Sequence, residues 1–142
     1  MLLPDVNILV YAHREDTALH TQSLQWLETL INSDEAFAIS ELVLSGFLRI
    51  VTHPKVFNPP SSLADALSFT EQICNQANCV IVSPQDRHWD IFTKLCKEAN
   101  AKGNLIPDAY HAALAIETGS TWITTDRDFS RFPGLRWSAP VC

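Results

Sequence analysis

Four carboxylates stand where an acid could take part in chemistry. Asp5 lies inside an apolar run of Leu2, Leu3, Val6, Ile8, Leu9 and Val10, a setting in which an unpaired charge is costly. Glu41 comes just after Phe37-Ala38-Ile39, Asp108 just after Ile106-Pro107, and Asp126 just after Trp122-Ile123-Thr124. Each has an ordinary use when taken alone. Glu41 and Asp108 suit the first turn of a helix, where the dipole favours an acid, and Asp126 and Asp128 suit a turn. Taken together they describe a cluster, and clustered carboxylates repel unless a cation or a shared proton holds them. A set of oxygen donors selects a hard cation, Mg²⁺ or Mn²⁺. One or two such ions on a carboxylate rim suit hydrolysis of phosphate esters, because the metal activates water and offsets charge on the phosphate. His111, three residues past Asp108, could reach the same rim, although its first reading is a packing residue. There is no glycine-rich phosphate loop, no G-x-S-x-G and no Cys–His nucleophile pair.

The elements that must position these acids alternate. Short apolar strands are expected at Leu2-Leu3, 36–39, 80–82 and 122–124, the third of them buried. Helical spacing is expected over 17–32, from Ser40 through Ile50, from Leu63 to Cys74, from Trp89 to Ala99, and from Ala109 to Ile116, with Gly119 stopping the last. Residues 53–61, with three prolines, read as a loop between two helices. Short apolar strands separated by helices point to an α/β fold with a parallel sheet covered on both faces. Ligands of such sheets bind outside the carboxyl ends of the strands, which puts Asp5, Glu41 and Asp126 on one rim with Asp108 in reach. Trp26, Trp89 and Trp122 fall in apolar periodic or strand settings and read as core. Trp137 reads as C-terminal packing, with stacking on a base as its functional alternative.

The chain of 142 residues fits one domain, 1–142, and its 46% hydrophobic and 18% charged content supplies one core. No membrane span or signal peptide is expected: the start, MLLPDVNILVYAHRED, has no basic n-region or small-residue cleavage site. Cys74, Cys79, Cys96 and Cys142 make no C-x-x-C pair, which fits thiols in a reducing cytoplasm. A net charge of −6 and a pI near 5.2 speak against a sequence-independent nucleic-acid binder. Setting the four acids aside, however, takes the formal charge from −6 to −2, so much of the acidity is the proposed site itself.

The ordered set Asp5-Val6-Asn7, Ser40-Glu41-Leu42-Val43, Pro107-Asp108-Ala109 and Thr124-Thr125-Asp126-Arg127-Asp128-Phe129 resembles the motifs of PIN-domain ribonucleases. The segments from Gly46 to Pro54 and from Arg131 to Trp137 are similar to those of the VapC-type toxins of bacterial toxin–antitoxin pairs, and the resemblance runs along essentially the whole chain. It implies a Mg²⁺- or Mn²⁺-dependent endoribonuclease on a single PIN-like α/β domain, with Asp5, Glu41, Asp108 and Asp126 binding the metal. Asn7 would orient that set, and Thr124 or Thr125 would hydrogen-bond a carboxylate or the metal's water. Asp128 would share or replace the role of Asp126. The resemblance further implies a homodimer and a small antitoxin lying along the active groove. With RNA as substrate, Arg49, His53 and Lys55, and Arg127, Arg131 and Arg136, are nominated as phosphate contacts. Tyr11 and Trp26 are candidates for the dimer or antitoxin surface.

Three other readings compete. A PIN-like module that has lost catalysis would bind RNA or protein, but it has no reason to keep four like charges together. A phosphoryl-accepting receiver domain needs a Lys where Arg127 follows Asp126. A haloacid-dehalogenase-like phosphatase needs a second Asp where Asn7 stands.

Overall fold

The computed structural model describes residues 1–141. Strand β1, Leu2–Pro4, is followed at once by helix α1, Val6–His13. Then come α2 (His20–Ile31), β2 (Phe37–Ser40), α3 (Glu41–Val51), α4 (Leu63–Cys74), β3 (Cys79–Val82), α5 (His88–Glu98), α6 (Leu105–Glu117), β4 (Thr121–Ile123), a 3-10 helix (Arg127–Arg131) and β5 (Trp137–Ser138). All strand pairings are parallel. β4 is central between β1 and β5, β2 pairs with β3, and β1 packs beside β2. The carboxyl ends of β1 and β4 therefore lie side by side, with β2 packed against β1.

The core explains this order. Leu3, Phe37, Ala38, Ile39 and Trp122 on the strands are fully buried. So are Ala109, Ala112, Ala113 and Ala115, the small face that lets α6 pack closely beside β4. Gly119 at φ +66° ends that helix in the left-handed region, as expected from its sequence position. Ser62 caps α4 by accepting from the Asp65 N–H at 3.1 Å.

Helix α1 is the element that the hydrophobic pattern does not announce. Ile8, Leu9, Val10 and Ala12 are all buried, so no polar face marks the helical period. Arg14 fastens its end: it pairs with Asp16 at 2.6 Å, donates to the Pro59 carbonyl at 2.9 Å and lies 4.3 Å over the Phe57 ring.

Two core assignments are corrected. Trp89 is 63% exposed, because it lies on the outer face of α5 while Phe92 and Leu95 turn inward. The strand at 80–82 is not buried throughout. β3 is an edge strand, and Val80 and Ile81 are 40% and 46% exposed. Trp26 and Trp122 are core, as expected. Cys74, Cys79 and Cys96 are free thiols, and Cys142 lies outside the described residues. Among the described residues no helix is long and apolar enough to cross a membrane.

Candidate active site

Asp5 does not extend β1. Its backbone N–H donates to the Ile123 carbonyl on β4 at 2.8 Å, and its side chain turns to cap α1, Oδ1 accepting from the Val6 N–H at 2.6 Å. The other oxygen, Oδ2, accepts from the Thr124 hydroxyl at 2.7 Å. That hydroxyl also accepts from the Asp126 N–H at 3.0 Å and from Asn7 Nδ2 at 3.4 Å. One donor and two acceptors exhaust a hydroxyl's capacity. Thr124 therefore ties Asp5, Asn7 and Asp126, residues from opposite ends of the chain, into one network. The carboxylate of Asp126 in turn accepts from the Asp128 N–H at 2.9 Å and caps the 3-10 helix.

Asp108 sits in the first turn of α6, half-buried. Burial pushes its carboxyl up to about 6, and the nearby charges of Asp126, Asp5 and Asp128 add to the shift. Asp5 is also pushed up to about 6. Burial dominates there, the bonds from Thr124 and Val6 oppose it, and the charge of Asp126 reinforces it. His111, one turn further along α6, stacks on Trp122 with ring centroids 5.3 Å apart. Burial lowers its imidazole to about 4, so the ring is neutral at pH 7. The buried Asn7 Oδ1 and His111 Nδ1 have no hydrogen-bond partner among the described residues.

Asp5, Asn7, Asp108, His111 and Asp126 line one cavity of about 670 Å³. Leu42, Ser45, Gly46, Arg49 and Ile50 of α3 form a facing wall, and Tyr11, Val56 and Phe57 an apolar one. A Cβ on Gly46 would meet Val6 Cγ2 at 3.0 Å, so this glycine lets α1 and α3 approach. A glycine inside a helical pattern, marking a close approach, is the signal that could have singled it out.

The other nominated residues are dispersed. Glu41 is exposed at the start of α3 and does not line the cavity; its charge acts on the Cys74 thiol instead. The Asp128 side chain is exposed, and it is the Asp128 backbone N–H that serves the site. Thr125 and Arg127 line a second cleft with Trp137. Arg131 and Lys55 are exposed and line neither space, and His53 accepts from the Lys55 N–H. Arg136 donates to the Gly119 carbonyl at 2.6 Å, a structural bond.

Among the described residues no group of three His, Cys, Asp or Glu side chains is arranged to hold a metal ion. The chemistry of the cavity nonetheless fits a hard divalent cation. Three carboxylates line it, two of them are held well above the usual range, and among the described lining residues His111 is the one His or Cys side chain of the kind that suits softer metals.

The PIN domain family profile matches residues 2–135. The chain is 42% identical over 141 residues to the VapC ribonuclease Mb2897 of Mycobacterium bovis, covering 99% of this chain and 96% of that protein. This chain is a PIN-domain protein of the VapC family. It is also 41% identical over 140 residues to ribonuclease VapC25 of Mycobacterium tuberculosis, covering 99% of each. Its fold matches that in the crystal structure of VapBC2 from Rickettsia felis bound to a DNA fragment from their promoter, with a TM-score of 0.72 at 21% identity over 97% of both chains. The VapBC-1 structure from nontypeable Haemophilus influenzae gives a TM-score of 0.67 at 15% identity, covering 97% of this chain and 96% of that one. The expected α/β architecture is thus that of VapC proteins.

Proposed function

We propose that this VapC-family chain is an endoribonuclease that hydrolyses RNA phosphodiester bonds with Mg²⁺ or Mn²⁺, and is the toxin of a toxin–antitoxin pair. The observation that carries the reading is the convergence of Asp5, Asp108 and Asp126 in one cavity, two of them with raised pKa, in a chain whose full-length relatives are named ribonucleases. These three carboxylates would hold one or two ions. When bound, a divalent cation makes water a better nucleophile and offsets charge on the scissile phosphate.

The chain's own residues prepare the place. The Thr124 hydroxyl fixes Asp5 and the backbone that bears Asp126. Asn7, which lines the cavity, holds its amide against the Thr124 hydroxyl. Arg49 on the facing wall supplies a cation for a neighbouring phosphate. Glu41, which is not among the residues lining this cavity, is given no ligand role in the proposal. A cognate antitoxin covering the groove, a homodimer and a cytoplasmic location complete the proposal.

The test is cleavage of total bacterial RNA by the purified protein with Mg²⁺, with Mn²⁺ and with EDTA, beside Asp5→Asn. Asparagine keeps an acceptor for the Val6 N–H, so the helix cap survives. Discrete fragments that require metal and disappear in the variant are expected. Intact RNA from antitoxin-free protein in every lane would instead favour the inactive binding module.

A further inference from the structure

The segment after β4 is a wall between two spaces. Asp126 and Phe129 face the carboxylate cavity. Thr125, Arg127 and Ser130 face the other way, into a second cleft of about 560 Å³ that is closed by Trp137 and Ser138 of β5. The two clefts have different chemistry. The first carries three carboxylates, whereas the lining of the second has one cation, an aromatic ring, hydroxyls and no acid. Trp137 is half-buried: part of it packs on the core beside Trp122, its partner in the sheet register, and part lines the cleft. An indole held by a strand and left open to a cleft is a platform for a planar ring. Arg127 is exposed and has no ion pair among the described residues.

We propose that this second cleft is a nucleotide subsite, in which a base of the RNA strand leaving the carboxylate cavity stacks on Trp137 while Arg127 pairs with its phosphate. The inference rests on the ribonuclease reading and adds where the strand goes. An acidic chain has few places to hold a polyanion, and the cation of this cleft stands one residue from Asp126. Stacking tolerates any base, so the subsite provides grip and register, and the readout of a particular sequence lies elsewhere.

The experiment measures binding of a fluorescein-labelled 12-mer oligouridylate in EDTA, where nothing is cut, to the wild type, Arg127→Gln, Trp137→Leu and Trp137→Phe. Arg127→Gln and Trp137→Leu are each expected to weaken binding about tenfold, and Trp137→Phe to restore most of the loss. Arg127→Gln should also flatten the dependence of log Kd on log salt by about 0.7, the signature of one lost phosphate contact. Because Arg127 is exposed, this variant decides the matter even if Trp137→Leu fails to fold. Wild-type affinity and salt slope in Arg127→Gln overturn the subsite. The same result with weakened binding of a co-purified antitoxin also overturns it and gives the cleft to a protein segment. Failure of the parent reading looks different: the wild type would bind the 12-mer, the variants would weaken it, and no RNA would be cut in Mg²⁺ or Mn²⁺.

Discussion

The β1–α1 and β2–α3 junctions are built alike and end differently. Each strand is parallel to its own partner, β1 to β4 and β2 to β3, and each runs straight into a helix with an acid at the turn. In the first junction the acid is the N-cap itself. Asp5 points back over the helix start, 7% exposed, bonded to Val6 and Thr124 and facing the cavity. In the second the N-cap is Ser40, which is buried, and the acid comes one residue later as the first residue of the helix. One residue turns a helical side chain by about 100°, and Glu41 is absent from the lining to which α3 contributes Leu42, Ser45, Gly46 and Arg49. The two acids thus differ in their position relative to the helix cap.

The largest expected effect tests that contrast directly. Asp5→Asn and Asp108→Asn should each lower RNA cleavage by about a thousandfold, and Glu41→Gln by less than about tenfold. Initial rates on one substrate RNA measure this, and an equal loss in Glu41→Gln would break the comparison.

Next comes the network that only the first junction has. Thr124→Val removes the donor to Asp5 and the acceptor of the Asp126 N–H, leaving buried groups unpaired at a cost of about 1–3 kcal/mol. Urea unfolding should show that loss together with a fall in cleavage. Ser40→Ala, at the matching place in the second junction, should cost less, since its hydroxyl makes no capping bond.

A pH effect of known sign follows. The folded protein holds Asp108 up to about 6, above an ordinary carboxyl near 4, so it keeps a proton that the unfolded chain has released. That stability is fully present below about pH 4 and is lost as pH rises through about 6. In EDTA, Asp108→Asn should therefore melt higher than the wild type at pH 7.5, with the difference vanishing near pH 4. His111 acts in the opposite direction, its imidazole being held down at about 4, so its contribution is lost as pH falls from about 6.5. It is common to both proteins and cancels in the difference.

The smallest effect concerns the spacing of the two junctions. Gly46→Ala adds a methyl 3.0 Å from Val6 Cγ2. The stiff Val6 side chain must give way, and the gain in helix propensity, about 1 kcal/mol, is expected to be cancelled or reversed. A melting temperature within a few degrees of the wild type and a modest loss of cleavage are expected; a clear gain in both would show that α1 and α3 have slack.

Much of this was legible because local signals were strong. The helices at α3 and α6 show clear apolar periods, and Gly119 marks the end of α6 where the backbone turns left-handed. Asp5 could be singled out because an acid among apolar residues must be satisfied, and the structure satisfies it through Thr124. Burial on all sides erases the period of helix α1, and for Trp89 period alone does not tell an outer face from an inner one.

Composition and motif order are sufficient for the class of fold and the family, because these depend on residue type and short-range spacing. Which acids meet depends on contacts between residues over a hundred positions apart, such as Thr124 with Asp5, and on the rotation set at each helix cap. Those were decided only when the strands paired. The same pairing put Trp137 beside Trp122 and so opened the second cleft, which no local pattern in the chain encodes.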